Sequence, residues 1–138
     1  GAKMAGRTVN DISISGGGFI VTGANDEQVE ANKHAARTRI AFYASTRSYA
    51  PIMNIHGWDD TAEKLYRMSV EGKWAQMTGE ITDEMLENFA VIANYDGIVD
   101  KIKNRYSSYA TSITFPIAST AAGDHEHLRR IIQELQAI

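Results

Sequence analysis

The feature that most constrains the fold of this chain is a shortage of β-strands. The stretch "SGGGFIVTGANDEQVEANKHAARTRIAFY" begins at Ser15 as an apolar strand, turns at Thr22-Gly23 and continues as a long helix. That arrangement is one unit of an α/β fold. Only Tyr109–Ile117 provides a second clear strand pattern. Because two strands are marginal as an isolated sheet, helices must cover them or another chain must complete the sheet.

The remaining segments predict helices. With the first strand at Asp11–Thr22, the predicted order is a strand, five helices, a strand and a final helix, or about two strands and six helices in total. Asn25, Asp60 and Thr82 each occupy an N-cap position, followed by acidic or amide side chains in the first turn. The helix after Thr82 is predicted to include all of "DEMLENFAVIA".

Composition narrows the class of protein. The 138 residues are expected to form one domain. A net charge of -3 predicts no general attraction to nucleic acid or to an anionic membrane, and no apolar run approaches the length of a membrane span. The absence of cysteine excludes disulfides, thiolate metal sites and a cysteine nucleophile. A cytoplasmic protein is therefore expected.

The three consecutive glycines of the first strand, Gly16, Gly17 and Gly18, need a physical reason, because glycine weakens an ordinary strand. One explanation is close packing inside a tight barrel, or a β-bulge. The other is close approach of a ligand to the backbone. The sequence leaves both explanations open.

The motifs of several reaction classes are missing. In "DHEHLRR", His125 and His127 are two residues apart and point to different sides of a helix. The HExxH spacing of zinc enzymes, the GxGxxG and Walker loops and the GxSxG elbow do not occur. We therefore expect neither a metal site nor serine-hydrolase chemistry.

Four stretches carry a resemblance to a known family: "SGGGFIVTG", "RTRIAFYASTRSYAPIMNIHGW", "ITDEMLENFAVIA" and "VDKIKNRYSSYATSITFPI". From about Ala5 to Ile117 the chain resembles the C-terminal part of the luciferase-like monooxygenase superfamily. The most similar branch is that of the deazaflavin-dependent oxidoreductases related to methylenetetrahydromethanopterin reductase. The resemblance implies an α/β fold, the (β/α)8 TIM barrel, with coenzyme F420 or FMN as cofactor.

The resemblance also implies how much of the barrel is present. On this comparison Asp11–Thr22 resembles barrel strand seven and Tyr109–Ile117 resembles strand eight. A whole barrel needs about 250 residues. Residues 1–138 are therefore expected to form a single partial domain, the C-terminal end of the barrel.

A parallel barrel holds its active site at the carboxyl ends of the strands, which here means Thr22 and Gly23 after the first strand and residues 116–120 after the second. In the family, the region resembling Tyr43–Trp58 lies near the mouth of the cofactor site. The candidate cofactor- or substrate-binding residues are Thr22, Arg47, Tyr49, His56 and Trp58.

Each candidate has a chemical rationale and a structural alternative. Arg47 could clamp a phosphate or carboxylate through two hydrogen bonds, His56 could donate a proton near neutral pH, and Trp58 could stack on a flat ring. Alternatively, His56 is a turn residue beside Gly57, and Trp58 is a hydrophobic staple before the next helix.

Two functional hypotheses follow from the sequence. In the first, the chain is the C-terminal fragment of an F420- or flavin-dependent oxidoreductase that transfers a hydride between its cofactor and a small organic substrate. The fragment would hold one wall of the site and be catalytically incomplete alone. In the second, it is a non-catalytic module without a cofactor. Its unpaired strands would then drive a homodimer or higher oligomer, with Ser15–Thr22 in or near the interface.

Phe19 provides a test of the first strand. The substitution Phe19→Asp is expected to abolish folding or assembly, because it places a carboxylate in the most apolar part of the strand. Circular dichroism and light scattering would measure both properties. A variant that remains soluble and folded with an unchanged mass would contradict this expectation.

Overall fold

The computed structural model of the chain describes residues 1–115 and 125–136. The strands and α-helices, in chain order, are β1 (Ser15–Gly16), β2 (Phe19–Val21), α1 (Asp26–Ala44), α2 (Ala50–Ile55), α3 (Asp59–Val70), α4 (Trp74–Met77), α5 (Asp83–Phe89), β3 (Ala90–Ile92), α6 (Ile98–Tyr106), β4 (Ser112–Ile113) and α7 (His125–Gln136). The described part thus has seven α-helices and four short strands. The prediction of a helix-rich α/β chain is confirmed, with two more strands and one more helix than expected.

Strand β3 lies where the sequence pattern predicts a helix. The helix after Thr82 ends at Phe89, so its predicted extension through Ala93 is wrong. Residues 90–92 instead pair in parallel with β2, in the register Phe19↔Ala90, Ile20↔Val91 and Val21↔Ile92. Val91 and Ile92 are β-branched and favour strands, and the partner β2 is equally apolar. Long-range pairing therefore overrides the local helical pattern.

The predicted first strand, Asp11–Thr22, is divided in two. Its first half, β1, pairs in parallel with β4, and its second half, β2, pairs with β3. The predicted strand Tyr109–Ile117 is observed only at Ser112–Ile113. Pro116 and Ile117 lie outside the described residues, as do the other positions of the predicted 116–120 site segment.

Side chains of the β2–β3 pair alternate between two hydrophobic clusters. Val21 and Ala90 belong to the first, and Val91 belongs to the second. The first cluster contains Val21, Val29, Ala36, Ile40, Ala41, Ala44, Met53, Ala62, Leu65, Met77, Ile81, Met85, Leu86 and Ala90. The second contains Val91, Tyr95, Ile98, Val99, Ile102, Tyr106, Leu128 and Ile131. Because alternate strand residues point to opposite faces, α1–α5 pack on one face and α6 and α7 on the other.

Two of the three predicted N-caps are confirmed. Asn25 Oδ1 accepts a hydrogen bond from Gln28 N at 2.9 Å, and Thr82 Oγ1 accepts one from the backbone N–H three residues later at 3.2 Å. Asp60 is not a cap, because α3 begins one residue earlier with Trp58 at the N-cap position. The acidic first turn still complements the helix dipole.

Arg105 of α6 stabilises the change from helix α5 to strand β3. Its guanidinium donates hydrogen bonds to the carbonyl oxygens of Glu87 at 3.3 Å, Ala90 at 3.2 Å and Asn88. The last carbonyls of a helix lack intrahelical partners. Arg105 therefore satisfies these groups and ties the second cluster to the start of β3.

Close packing explains two of the three consecutive glycines. A Cβ atom on Gly16 would lie 2.6 Å from Ile113 Cδ1, and one on Gly18 would lie 3.1 Å from the carbonyl oxygen of Phe89. A Cβ atom on Gly17 would meet nothing within 4 Å. The first of the two explanations therefore applies at Gly16 and Gly18.

Across residues 1–115 and 125–136, no helix combines the length and apolarity that crossing a membrane requires.

Neighbouring glycines test this packing. Gly16→Ala is expected to lower the free energy of unfolding by about 1–3 kcal/mol, because the added methyl group forces β1 away from β4 and α6. Gly17→Ala serves as the control and is expected to leave stability unchanged or to raise it by up to about 1 kcal/mol. Urea unfolding followed by circular dichroism would measure both variants. Equal effects at the two positions would rule out the steric explanation.

Candidate functional site

The carboxyl ends of β2 and β3 form one continuous edge. Backbone pairing continues beyond the strands, with Ala93 N donating to Val21 O at 3.2 Å and Tyr95 N donating to Gly23 O at 2.9 Å. We call residues 22–23 and 93–95 the carboxyl edge. Parallel barrels hold their active sites at this end of the strands, so the edge is the place where a site is expected.

Gly23 allows helix α1 to start directly at the carboxyl edge. A Cβ atom at this position would lie 2.6 Å from Gln28 Cβ and 3.1 Å from Val29 N. The side chain of Gln28 also accepts a hydrogen bond from Ala24 N at 2.9 Å. The first turn of α1 therefore packs against the end of β2, and a side chain at residue 23 would displace it.

Thr22 has an unusual environment at this edge. Its carbonyl oxygen accepts a hydrogen bond from Asn32 Nδ2 at 2.8 Å. Its hydroxyl oxygen, Oγ1, is buried and has no hydrogen-bond partner among the described residues. Leaving a buried polar group unpaired costs about 1–3 kcal/mol. A hydroxyl in this state is a candidate for binding a ligand group.

Helix α7 borders the same edge. The ring of His127 stacks on Tyr95, with ring centroids 5.7 Å apart and an interplanar angle of 27°. Arg130 Nη2 lies 3.0 Å from Asp96 Oδ1. These contacts give α7 a structural position beside the edge. Throughout the part of the chain that the structure describes, no group of three or more His, Cys, Asp or Glu side chains is arranged to hold a metal ion.

The sequence analysis missed Asn94 and Tyr95 as residues of the edge. Both follow β3, and β3 itself was not predicted. A run of β-branched residues followed by Asn is the signal that could have indicated a strand end there. Asn94 Oδ1 accepts a hydrogen bond from Gly97 N at 3.2 Å and so forms the turn that leads into α6.

Arg47, one of the predicted candidates, is engaged within the protein. Its Nη1 lies 3.0 Å from Glu63 Oε2, and its guanidinium carbon lies 3.8 Å from the centroid of the Tyr66 ring. A recess of about 300 Å³ beside it is also lined by Asp59 and Asp60. Three carboxylates at this position disfavour a bound phosphate, because like charges repel.

His56, Trp58 and Tyr49 lie near the amino ends of the strands. His56 stacks on Trp58 at a centroid distance of 4.6 Å, and both rings contact Phe89, the residue immediately before β3. His56 and Gly57 form the turn that follows α2, and Trp58 packs against the first cluster. Tyr49 packs edge-on against another ring at 5.4 Å. These contacts match the structural alternatives for His56 and Trp58.

The structure therefore does not bring the five candidates together. Helix α1 has 19 residues and is about 28 Å long. It carries the chain from the carboxyl edge back to the amino ends of the strands, where its residue Tyr43 contacts Phe19. Thr22 lies at one end of the strand pair, and the four candidates that follow α1 lie toward the other.

Comparison with curated proteins identifies similar sequences. Uncharacterized proteins of Mycobacterium tuberculosis and Mycobacterium bovis are each 39% identical to this chain over 105 residues, which is 76% of this chain and 31% of each relative. A 5,10-methylenetetrahydromethanopterin reductase of Methanopyrus kandleri is 27% identical over 115 residues, or 82% of this chain and 32% of that protein. The chain spans about a third of the length of these relatives.

A solved structure shows the same fold. The coenzyme F420-dependent tetrahydromethanopterin reductase from Methanopyrus kandleri superposes on 99% of this chain with a TM-score of 0.70 and 20% sequence identity, and the match covers 38% of that protein. This likeness confirms the expected fold class, a part of a (β/α)8 barrel. Residues 1–112 also match the family model of the luciferase-like monooxygenases. The chain belongs to the luciferase-like monooxygenase family.

Proposed function

We propose that this chain is the C-terminal part of a coenzyme F420-dependent oxidoreductase and that its carboxyl edge forms one wall of the cofactor site. When bound, the deazaflavin would supply the hydride chemistry with a small organic substrate. The buried, unpartnered hydroxyl of Thr22 carries the proposal. Family membership and the likeness to an F420-dependent reductase support F420, and FMN is the second candidate.

The residues of the edge suit a flat ring better than a phosphate. Thr22 Oγ1 can both donate and accept a hydrogen bond, as the carbonyl and N–H groups at the rim of a deazaflavin require. Thr22, Gly23, Ala93, Asn94 and Tyr95 carry no charged side chain. Arg47 is paired with a carboxylate elsewhere. Phosphate groups of the cofactor would therefore be bound by other parts of the whole enzyme.

The role of these residues would be to orient the ring and exclude water. The continued backbone pairing between residues 21–23 and 93–95 fixes the position of Thr22. Asn32 fixes its carbonyl oxygen from the side of α1. A hydroxyl held in this way needs no rearrangement to meet a ligand, which lowers the entropic cost of binding.

Strand β3 also affects the proposed position of the chain in the barrel. If Tyr109–Ile117 corresponds to the eighth strand, then β3 takes the seventh place in chain order. The Ser15–Val21 segment would then be the sixth strand instead of the seventh. This assignment gives the proposed wall two neighbouring strand ends, those of β2 and β3.

A stability measurement tests the state of the Thr22 hydroxyl. Thr22→Val keeps the shape of the side chain and removes a hydroxyl without a described partner, so the free energy of unfolding is expected to stay constant or to rise by up to about 1 kcal/mol. Thr78→Val is the matched control, because Thr78 is buried and its Oγ1 lies 3.0 Å from Thr38 Oγ1. The control is expected to lose about 1 kcal/mol. A comparable loss in Thr22→Val would show that its hydroxyl already has a partner.

Fluorescence titration with coenzyme F420 and, separately, FMN tests the proposed function. We expect saturable binding of F420, weaker binding of FMN, and a loss of about three- to tenfold in affinity in Thr22→Val, the value of one hydrogen bond. Thr46→Val makes the same change on the far side of α1 and is expected to bind normally.

Two results would contradict the proposal. Absence of saturable binding by a folded chain would favour the alternative, a non-catalytic self-associating module. Loss of F420 affinity in His56→Ala but not in Thr22→Val would move the site to the other end of the strands.

A further inference from the structure

A continuous set of exposed apolar side chains lies beyond the carboxyl end of α1. The rings of Phe42 and Trp74 are 6.0 Å apart, those of Phe42 and Tyr43 are 5.7 Å apart, and those of Tyr43 and Tyr49 are 5.4 Å apart. These side chains and Ile52 are between 39% and 53% exposed. We call Phe42, Tyr43, Tyr49, Ile52 and Trp74 the aromatic surface. Single exposed apolar residues are ordinary, but contiguous patches mark interaction sites.

A groove adjoins the aromatic surface. It has a volume of about 490 Å³, and Tyr43, Tyr49 and Ile52 form part of its wall together with Gly17 and Phe19. Gly17 has no side chain to fill it, and a Cβ atom there would meet nothing within 4 Å. The surface thus has exposed rings on one side, at Phe42 and Trp74, and an apolar recess on the other.

We propose that the aromatic surface binds a second copy of this chain in a two-fold symmetric dimer. In such a dimer the same patch of both copies meets, so each patch must be complementary to itself. The aromatic surface meets this requirement, because the exposed rings of one copy can enter the groove of the other. The symmetry then repeats the contact.

The area of the surface fits a weak dimer. Aromatic side chains offer 150–250 Å² each, so side chains that are about half exposed contribute roughly 500 Å² per copy. Two copies would then bury on the order of 1,000 Å², the lower limit for a specific interface. We therefore expect an equilibrium between monomer and dimer that depends on protein concentration.

The charges around the surface also suit a second copy. None of its five residues carries a charge. The guanidinium carbon of Arg39 lies 5.3 Å from the centroid of the Phe19 ring, and Arg47 is paired with Glu63. Two copies can therefore approach without placing like charges at the centre of the contact. Trp and Tyr are also the residues that most often dominate interface energies.

This interface is independent of the proposed cofactor site. The groove is bordered by Gly17, Phe19 and Phe89, at the amino ends of β2 and β3, whereas Thr22 lies at the carboxyl edge. A dimer formed through the aromatic surface leaves that edge accessible. Dimer formation and F420 binding can therefore succeed or fail separately.

Sedimentation equilibrium of the full chain over a range of concentrations tests the dimer. We expect the average mass to rise from that of a monomer to that of a dimer. In the double variant Phe42→Glu, Trp74→Glu the dissociation constant is expected to rise at least about tenfold. Tyr109→Glu is the matched control, because Tyr109 is 51% exposed and packs beside Tyr106 in the second cluster. The control is expected to dimerise normally.

Circular dichroism would establish that each variant is folded. If the double variant does not fold, Ile52→Lys, at the wall of the groove, provides the same test with a less disruptive change. Three results would overturn the proposal: a wild-type chain that is monomeric at every concentration, a dimer that survives the folded variant, or a dimer that Tyr109→Glu also abolishes. Binding of a small apolar molecule by a chain that stays monomeric is a case of the first.

Discussion

The parallel pairing of β2 with β3 is the contact on which the rest of the structure depends. It joins residues 19–21 to residues 90–92, and all of α1–α5 lies in the connection between them. Those helices pack on the face that carries Val21 and Ala90. Without the pairing they would lose the surface that they share, and the cost of closing so long a loop would not be offset. Arg105 reinforces the contact from α6 by satisfying the carbonyls at the end of α5.

The same pairing decides which residues can share a site. Parallel strands place their carboxyl ends together, so Thr22 lies beside Ala93 although the two are far apart in sequence. A helix that follows a strand must return antiparallel to it, and α1 is long enough to carry the chain to the opposite end. Residues soon after α1, including Arg47 and His56, are therefore close to Thr22 in sequence and distant from it in the fold. A likeness between sequences cannot resolve this difference.

Local signals made part of the fold predictable. Asn25 and Thr82 cap their helices through contacts three residues away, so the sequence alone indicates them. Strand β3 could not be predicted in this way, because its residues continue the apolar pattern of Met85, Leu86 and Phe89. Its identity is set by β2, some 70 residues earlier. Missing β3 also hid Asn94 and Tyr95, and with them half of the candidate site.

The two ends of the strand pair differ in chemistry, and this difference connects the proposed site with the proposed dimer. At the carboxyl edge a buried hydroxyl lacks a described partner, which favours a ligand that supplies a polar group. Toward the amino end, exposed rings surround an apolar groove, which favours a partner that removes apolar area from water. A ligand and a second copy therefore satisfy different needs at opposite ends of the same strands. Because the rigid β2–β3 pair lies between them, neither need has to be met at the expense of the other.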